Sequence, residues 1–325
     1  MNGKGWKKSR DYQWTGRSLA GLLGEKIFYH FSNLFGRGLA YGIIAITVPF
    51  FLTFRKRERR ASFDFFSRVY GTHSGWRLLW HASCQFWCWG ACWVDRSLIF
   101  GKGPQQFHFD HRGEKNLKDA IQLGKGLILL TAHIGNYGIG GWMLKKGSGR
   151  PVTIALIDDE ERKVRRFLNQ IQGEVRPRLI SISRSFYSSI SLLKVLREGE
   201  ICAIQADRVV DKNALSVDFL GSRTFFPTGP FLLSLISGAP IAISFTIKEG
   251  WKRYVFLAER PICPPEEKSC DRGQIIQDLA QKVARRMEEV VQRHPHQWFN
   301  FYPYWIDSPG FEDTFSNTSG LSGER

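Results

Sequence analysis

Acid is the first shortage in this chain. Thirty Asp and Glu stand against 46 Lys and Arg in 325 residues, a formal net charge of +16. Such a cationic chain calls for an anionic partner: a lipid headgroup layer, a nucleic acid or an acidic carrier protein. The six cysteines include no C-x-x-C pair, which argues against a zinc ribbon or a dithiol redox centre. No internal repeat is present, and one apolar stretch near the N-terminus has no second to follow it, which excludes collagen, coiled coil and a multi-span membrane protein. There is no G-x-S-x-G elbow for a serine nucleophile. Neither G-x-x-x-x-G-K-[ST] nor G-x-G-x-x-G occurs, so nucleotide binding has no footing. His294 and His296 flank Pro295 without Cys or carboxylate at ligand spacing, so no metal and no cofactor is expected.

What is abundant is aromatic. Hydrophobic residues make up 43% and aromatics 14%, with 11 Trp and 25 Phe. That load rules out a disordered chain and serves a large core, a lipid-facing surface or both. The length suits one large α/β domain or two small ones. Charge is uneven: residues 1–60 carry twelve Lys and Arg and three Asp and Glu, nine of the sixteen net positive charges. Within that segment Gly38 to Phe54 holds no charge. As a helix it would be roughly 26 Å long, slightly short of a bilayer core of about 30 Å, and Pro49 is expected to kink it. Lys26 and Arg37 precede it; Arg55, Lys56, Arg57, Arg59 and Arg60 follow it. Charged flanks around an apolar helix favour an anionic membrane over nucleic acid. A spanning helix would leave the Arg55–Arg60 side cytoplasmic; a dipping one would rest both flanks on headgroups; a buried core helix is the third possibility.

Trp76 to Phe100 reads as a second helix, with Phe86, Trp89 and Trp93 on one face and Cys84, Cys88 and Cys92, as small packing residues, on another. From about residue 107 short apolar runs alternate with helical stretches. Strands are expected at 126–131, 151–157, 179–183, 201–205 and 241–247, with 254–257 as a candidate edge strand. Helices are expected at 160–172, 187–197 and 273–293. This alternation predicts an α/β fold with a mostly parallel sheet flanked by helices.

His133 comes directly off the strand that ends at Thr131, followed by small residues that open a helix. Carboxyl-terminal strand ends hold ligands in such sheets, and a His there is well placed as a general base. A structural His bonded to backbone is an equal reading of position alone. Asn136 nearby would orient the imidazole or hold a substrate oxygen.

The run Ala132-His133-Ile134-Gly135-Asn136 resembles the catalytic block of the late acyltransferases of lipid A biosynthesis, within the lysophospholipid acyltransferase superfamily. Further blocks follow in that family's order: Gln205-Ala206-Asp207-Arg208, Val217-Asp218-Phe219-Leu220-Gly221, Phe226-Pro227-Thr228-Gly229-Pro230 and Gly238-Ala239-Pro240-Ile241. The close Gln297-Trp298-Phe299-Asn300-Phe301-Tyr302 resembles the predicted acyltransferase branch linked to glycolipid and aryl-polyene lipid clusters. The resemblance covers about residues 20–306. It implies a glycerolipid acyltransferase-like fold; with the basic apolar start and the Ser/Gly-rich end, three parts are expected: a basic membrane-anchoring segment 1–60, an acyltransferase domain 61–307 and a disordered tail 308–325. It implies an enzyme on the cytoplasmic face of the inner membrane that moves a fatty acyl chain from acyl carrier protein or acyl-CoA to a hydroxyl of a glycolipid such as a lipid A precursor.

The family carries a carboxylate five residues after the His, and here that position is Gly138. Three readings stand. Another carboxylate serves, Asp207 first because it ends a neighbouring strand and Asp158 second. Or His133 works unassisted. Or catalysis has been lost and the chain is a lipid-binding or assembly protein. A Glu at 138 is expected to rebuild the family's own pair. Arg208 and, with a weaker claim, Arg223 are phosphate candidates; ion pairing of Arg208 with Asp207 or Asp218 is nearly as good a reading. Thr228 and Gly229 would offer a helix N-terminus to an oxyanion or phosphate, or simply start a helix. Lys163, Arg165 and Arg166 would form a patch for an acidic carrier protein or a plain solvated face.

Overall fold

The computed structural model describes residues 21–140, 149–156, 178–182, 186–209, 213–266 and 271–309. The helix expected at 160–172, together with Asp158, Lys163, Arg165 and Arg166, lies outside them.

Three helices come first: α1 (Gly21–Phe54), α2 (Lys56–Tyr70) and α3 (Gly75–Lys102). They lead into β1 (His108–Arg112), α4 (Glu114–Gln122) and β2 (Leu127–Thr131). β3 (Val152–Leu156), β4 (Arg178–Ser181), α5 (Phe186–Arg197) and β5 (Ile201–Gln205) follow. A hairpin of β6 (Ala214–Phe219) and β7 (Ser222–Pro227) precedes α6 (Gly229–Ser237), β8 (Ile241–Lys248), β9 (Arg253–Ala258) and α7 (Arg272–Arg293).

Seven strands form one sheet in the order β1-β9-β8-β2-β5-β3-β4. All neighbours are parallel except β8 and β9. The apolar runs of β2 and β5 are continuous because both faces of the sheet are covered. Ile128 and Leu130 of β2, with Cys202 and Ile204 of β5, enter a core shared with α5, α6 and α7. Leu127, Leu129, Ile201 and Ala203 enter a core on the other face with Leu117 and Ala120 of α4. The strand at 253–258 is interior rather than an edge, because the polar segment His108–Arg112 pairs with it and takes the edge. β6 and β7 stand apart as a two-stranded hairpin. Its turn places Leu220 (φ 50°) and Gly221 (φ 76°) in the left-handed region, as two-residue hairpin turns require.

α1 packs on α3 through Ala40, Tyr41, Ile44, Val48 and Leu52, which meet Ala82, Phe86, Ala91, Val94 and Leu98. Its opposite face shows Leu39, Ile46, Phe50 and Phe54 to the outside. Among the described residues it is the one helix long and apolar enough to cross a bilayer. The backbone leaves the helical region at Gly36 (φ 79°) and not at Pro49, since a residue without Cβ takes that conformation at least cost. Ser308, expected to begin a loose tail, is buried and donates to Asp64 Oδ2 at 2.5 Å.

Candidate active site

Strand register brings the two central side chains together. β2 and β5 are parallel neighbours with Thr131 opposite Gln205, and Ala206 N–H donates to Thr131 O at 2.9 Å. Two residues further along each chain stand His133 and Asp207. Nδ1 of His133 lies 2.9 Å from Asp207 Oδ1, and the backbone N–H of His133 donates to Oδ2 at 2.9 Å. The residues are 4% and 2% exposed, so solvent screens the pair little. Burial alone would raise the Asp207 pKa. The neighbouring His133 charge, the hydrogen bonds from its ring and backbone, and the Arg208 guanidinium outweigh burial and hold it at about 2. An ionised carboxylate only accepts hydrogen bonds. Nδ1 of His133 therefore carries a proton and donates it, which leaves Nε2 as the basic nitrogen of the neutral ring.

The loop after His133 is fixed on both sides. Gly135 has φ 62°, and a Cβ there would run into the Thr246 carbonyl of β8. Its N–H donates to Gln297 O at 2.8 Å, and the N–H of Asn136 donates to Thr246 O at 2.7 Å. The Asn136 side chain is fully buried. Its amide donates to Cys92 O at 2.9 Å and to the Tyr254 hydroxyl at 3.3 Å, and its Oδ1 accepts from Arg96 Nε at 3.1 Å. Through these bonds Asn136 braces the loop against α3.

Position 138 is occupied in an unexpected way. A Cβ on Gly138 would lie 2.7 Å from both Cζ and Nε of Arg96. That guanidinium sits over Trp93 and Tyr137, 4.8 and 4.9 Å from the ring centroids. A cation thus stands where a side chain at 138 would begin. A Glu introduced there would meet Arg96 before His133, so the expectation that it rebuilds the pair is revised.

The other proposed residues divide. Arg208 follows Asp207 directly; its guanidinium lies 5.6 Å from the centroid of Tyr302, and Nη2 donates to Phe299 O at 3.4 Å. Thr228 caps α6, and Pro230 sits in the first turn. α6 leads down into β8 and so begins toward the carboxyl-terminal edge of the sheet, the edge that bears His133. Arg223 is on β7 opposite Asp218, exposed, with its carbonyl accepting from Ile306 N–H at 2.9 Å. No contact among the described residues joins Arg223 to the His133–Asp207 pair.

The closing segment contributes more than the strand pattern announces. Phe299 N–H donates to His133 O at 2.8 Å, and Ile134 bridges to Trp298. The Trp298 indole N–H reaches Asp207 Oδ2 at 3.4 Å, and the Tyr302 hydroxyl donates to Asp207 O at 3.2 Å. Gln297 pairs through its amide with both backbone groups of Lys248, at 2.8 and 2.9 Å. The Gln297–Tyr302 block was the available signal for these contacts. Arg96, far upstream on α3, had none. Among the described residues no cluster of His, Cys, Asp or Glu suits a metal ion.

A pair of this kind on a parallel sheet carries out several kinds of proton transfer, so geometry alone names no reaction. The profile of the bacterial lipid A biosynthesis acyltransferases matches residues 98–306. Phosphatidylinositol mannoside acyltransferase of Mycobacterium tuberculosis is 27% identical over 199 residues, 60% of this chain and 59% of the relative. The protein of that name from Mycolicibacterium smegmatis is 26% identical over 197 residues, 59% of this chain and 60% of the relative. The chain thus spans about three fifths of the length of these relatives. The match runs from the last turn of α3 through the whole sheet to the closing segment, including His133 and Asp207, and the chain belongs to the bacterial lipid A biosynthesis acyltransferase family.

Proposed function

We propose that this protein is a membrane-associated acyltransferase that moves a fatty acyl chain from a thioester, on acyl carrier protein or coenzyme A, to a hydroxyl of a glycolipid. The observation that carries the reading is the buried His133–Asp207 pair at adjacent strand ends. Nε2 of His133 takes the proton of the acceptor hydroxyl as its oxygen attacks the thioester carbonyl. Asp207 stabilises the imidazolium that forms. That attack makes the ester C–O bond, and collapse of the tetrahedral adduct re-forms the carbonyl and breaks the C–S bond. The proton on Nε2 passes to the departing thiolate, which restores the neutral ring. The alternative of a non-catalytic lipid-binding protein draws on Gly138; the Asp207 carboxylate on the imidazole from another strand supports the catalytic reading.

The acceptor we favour is a phosphorylated or glycosylated lipid, as in a lipid A precursor or the mannosylated phosphoinositide of the mycobacterial relatives' names. We place the protein on the cytoplasmic face of the inner membrane, with the exposed apolar face of α1 in the lipid and the basic residues at 55–60 on anionic headgroups. The test uses full-length protein in anionic vesicles, labelled acyl donor on each carrier, and a panel of glycolipid acceptors. Transfer by wild type and its loss in a folded His133→Ala variant are expected. Equal turnover in the two would remove His133 as the base.

A further inference from the structure

Two neighbouring charges on α3 are treated differently by the fold. Asp95 is fully buried and well satisfied: it accepts from the Tyr41 hydroxyl at 2.9 Å and the Tyr254 hydroxyl at 2.7 Å, and it pairs with Lys248 at 2.5 Å and Arg37 at 3.3 Å. Arg96, the next residue, is half-buried, and no carboxylate pairs with it among the described residues. Its Nε donates to Asn136 Oδ1, and its plane lies against Trp93 and Tyr137. That arrangement holds the side chain in one geometry while both Nη groups keep their donors. The Tyr137 ring that touches the guanidinium also touches the His133 imidazole, at 5.1 Å between centroids. Gly138 completes the arrangement, because a Cβ there would force the guanidinium to shift.

We propose that Arg96, on its Trp93–Tyr137 shelf, is a phosphate-ester subsite beside His133, which fixes the phosphodiester of a lipid acceptor so that a nearby hydroxyl meets His133. The proposal rests on the acyltransferase reading for the identity of the reaction, but not for the binding. A planar guanidinium with open Nη donors matches two phosphate oxygens. Stacking on two rings lowers the ordering cost of binding. A donor thioester also carries phosphate, but the pantetheine arm holds that group many bonds from the reacting carbonyl, whereas one aromatic ring separates Arg96 from His133. The acceptor is therefore the better occupant.

Isothermal titration of the full-length protein in detergent with glycerophosphoglycerol, a phosphodiester without acyl chains, and separately with coenzyme A tests this. Wild type and His133→Ala are expected to bind the phosphodiester alike. Arg96→Gln should bind it roughly ten- to a hundredfold more weakly, the range for losing hydrogen bonds to a charged group. Gly138→Ala keeps the charge but displaces it, and should weaken binding as well if Arg96→Gln fails to fold. Coenzyme A affinity should be unchanged in both variants. Undiminished phosphodiester binding in the variants, or no binding by wild type, overturns the subsite. A loss confined to coenzyme A overturns its assignment to the acceptor. If binding depends on Arg96 while wild type turns over no donor, the acyltransferase reading fails and the subsite stands.

Discussion

Asp207 keeps one proton on Nδ1 of His133 and thereby makes Nε2 the ring's base. Asp207→Asn preserves shape but offers an amide that also satisfies the other tautomer, and it removes the charge opposite the imidazolium. We expect kcat to fall roughly 10²–10⁴-fold with little change in KM, measured by steady-state transfer; a kcat within a few-fold of wild type would exclude Asp207 as partner. Adding Gly138→Glu to that variant should not restore turnover, since the new carboxylate meets the Arg96 guanidinium first. His133 was legible because a buried apolar run points at it. Asp207 was legible because parallel strands of similar length put their following residues side by side. Arg96 was not, because its partners Trp93, Asn136 and Tyr137 come from two segments that only the tertiary fold joins. The scaffold partners of Asn136 were hidden for the same reason: sequence shows its neighbours in the loop, but not the Cys92 carbonyl and the Tyr254 hydroxyl that engage its amide.

At the scale of elements, α1 is apolar on both sides, so its sequence could not say which side meets protein. Gly90 of α3 lets α1 approach closely: a Cβ there would fall 2.8 Å from Ile44 Cγ2. Gly90→Leu should destabilise the protein by about 1–3 kcal/mol through overpacking, read from denaturant unfolding in detergent. The exposed face separates membrane binding from folding. Gln at Leu39, Ile46 and Phe50 together should release the protein from anionic vesicles in flotation assays without lowering its melting temperature. Retention of that triple variant on vesicles in high salt would show that this face does not hold it. Removing residues 1–60 is a poorer experiment, because it also uncovers the α3 residues that Tyr41, Ile44 and Val48 cover. β1 was missed because His108–Arg112 is largely polar. That is how an exposed edge reads, and it left β9 looking like the border.

Across the whole molecule, the N-terminal helices and the closing segment meet at two imidazoles: His81 Nδ1 and His296 Nε2 lie 2.9 Å apart. Burial, then the neighbouring His81, pull the His296 pKa down from 6.5 to about 4, and burial lowers His81. The unfolded chain binds protons here more readily than the folded one. The pair's contribution to stability is therefore complete above about pH 6.5 and is lost as pH falls through about 4, by about 1–2 kcal/mol for a partly solvated pair. His296→Phe, which keeps the stack on Phe66 and His81, should flatten the fall in melting temperature across that window; an unchanged pH profile would show that the titration lies elsewhere. The parallel core was readable from sequence because strands buried on both faces leave uninterrupted apolar runs. The hairpin lies outside that pattern, because β6 and β7 alternate in burial and stand apart from the sheet; the Trp305 indole N–H donates to Phe219 O at 2.7 Å. The bridge from Ile134 to Trp298 and the bond from Phe299 N–H to His133 O also bear on the order of events during synthesis. A ribosome makes β2 and β5, and with them His133 and Asp207, long before it reaches Trp298. A nascent chain can pair those strands early, yet the clamp on His133 arrives only with the last helix and the segment after it. If the proposed acyl transfer holds, an unfinished polypeptide would meet thioesters and hydroxyls while still chemically silent.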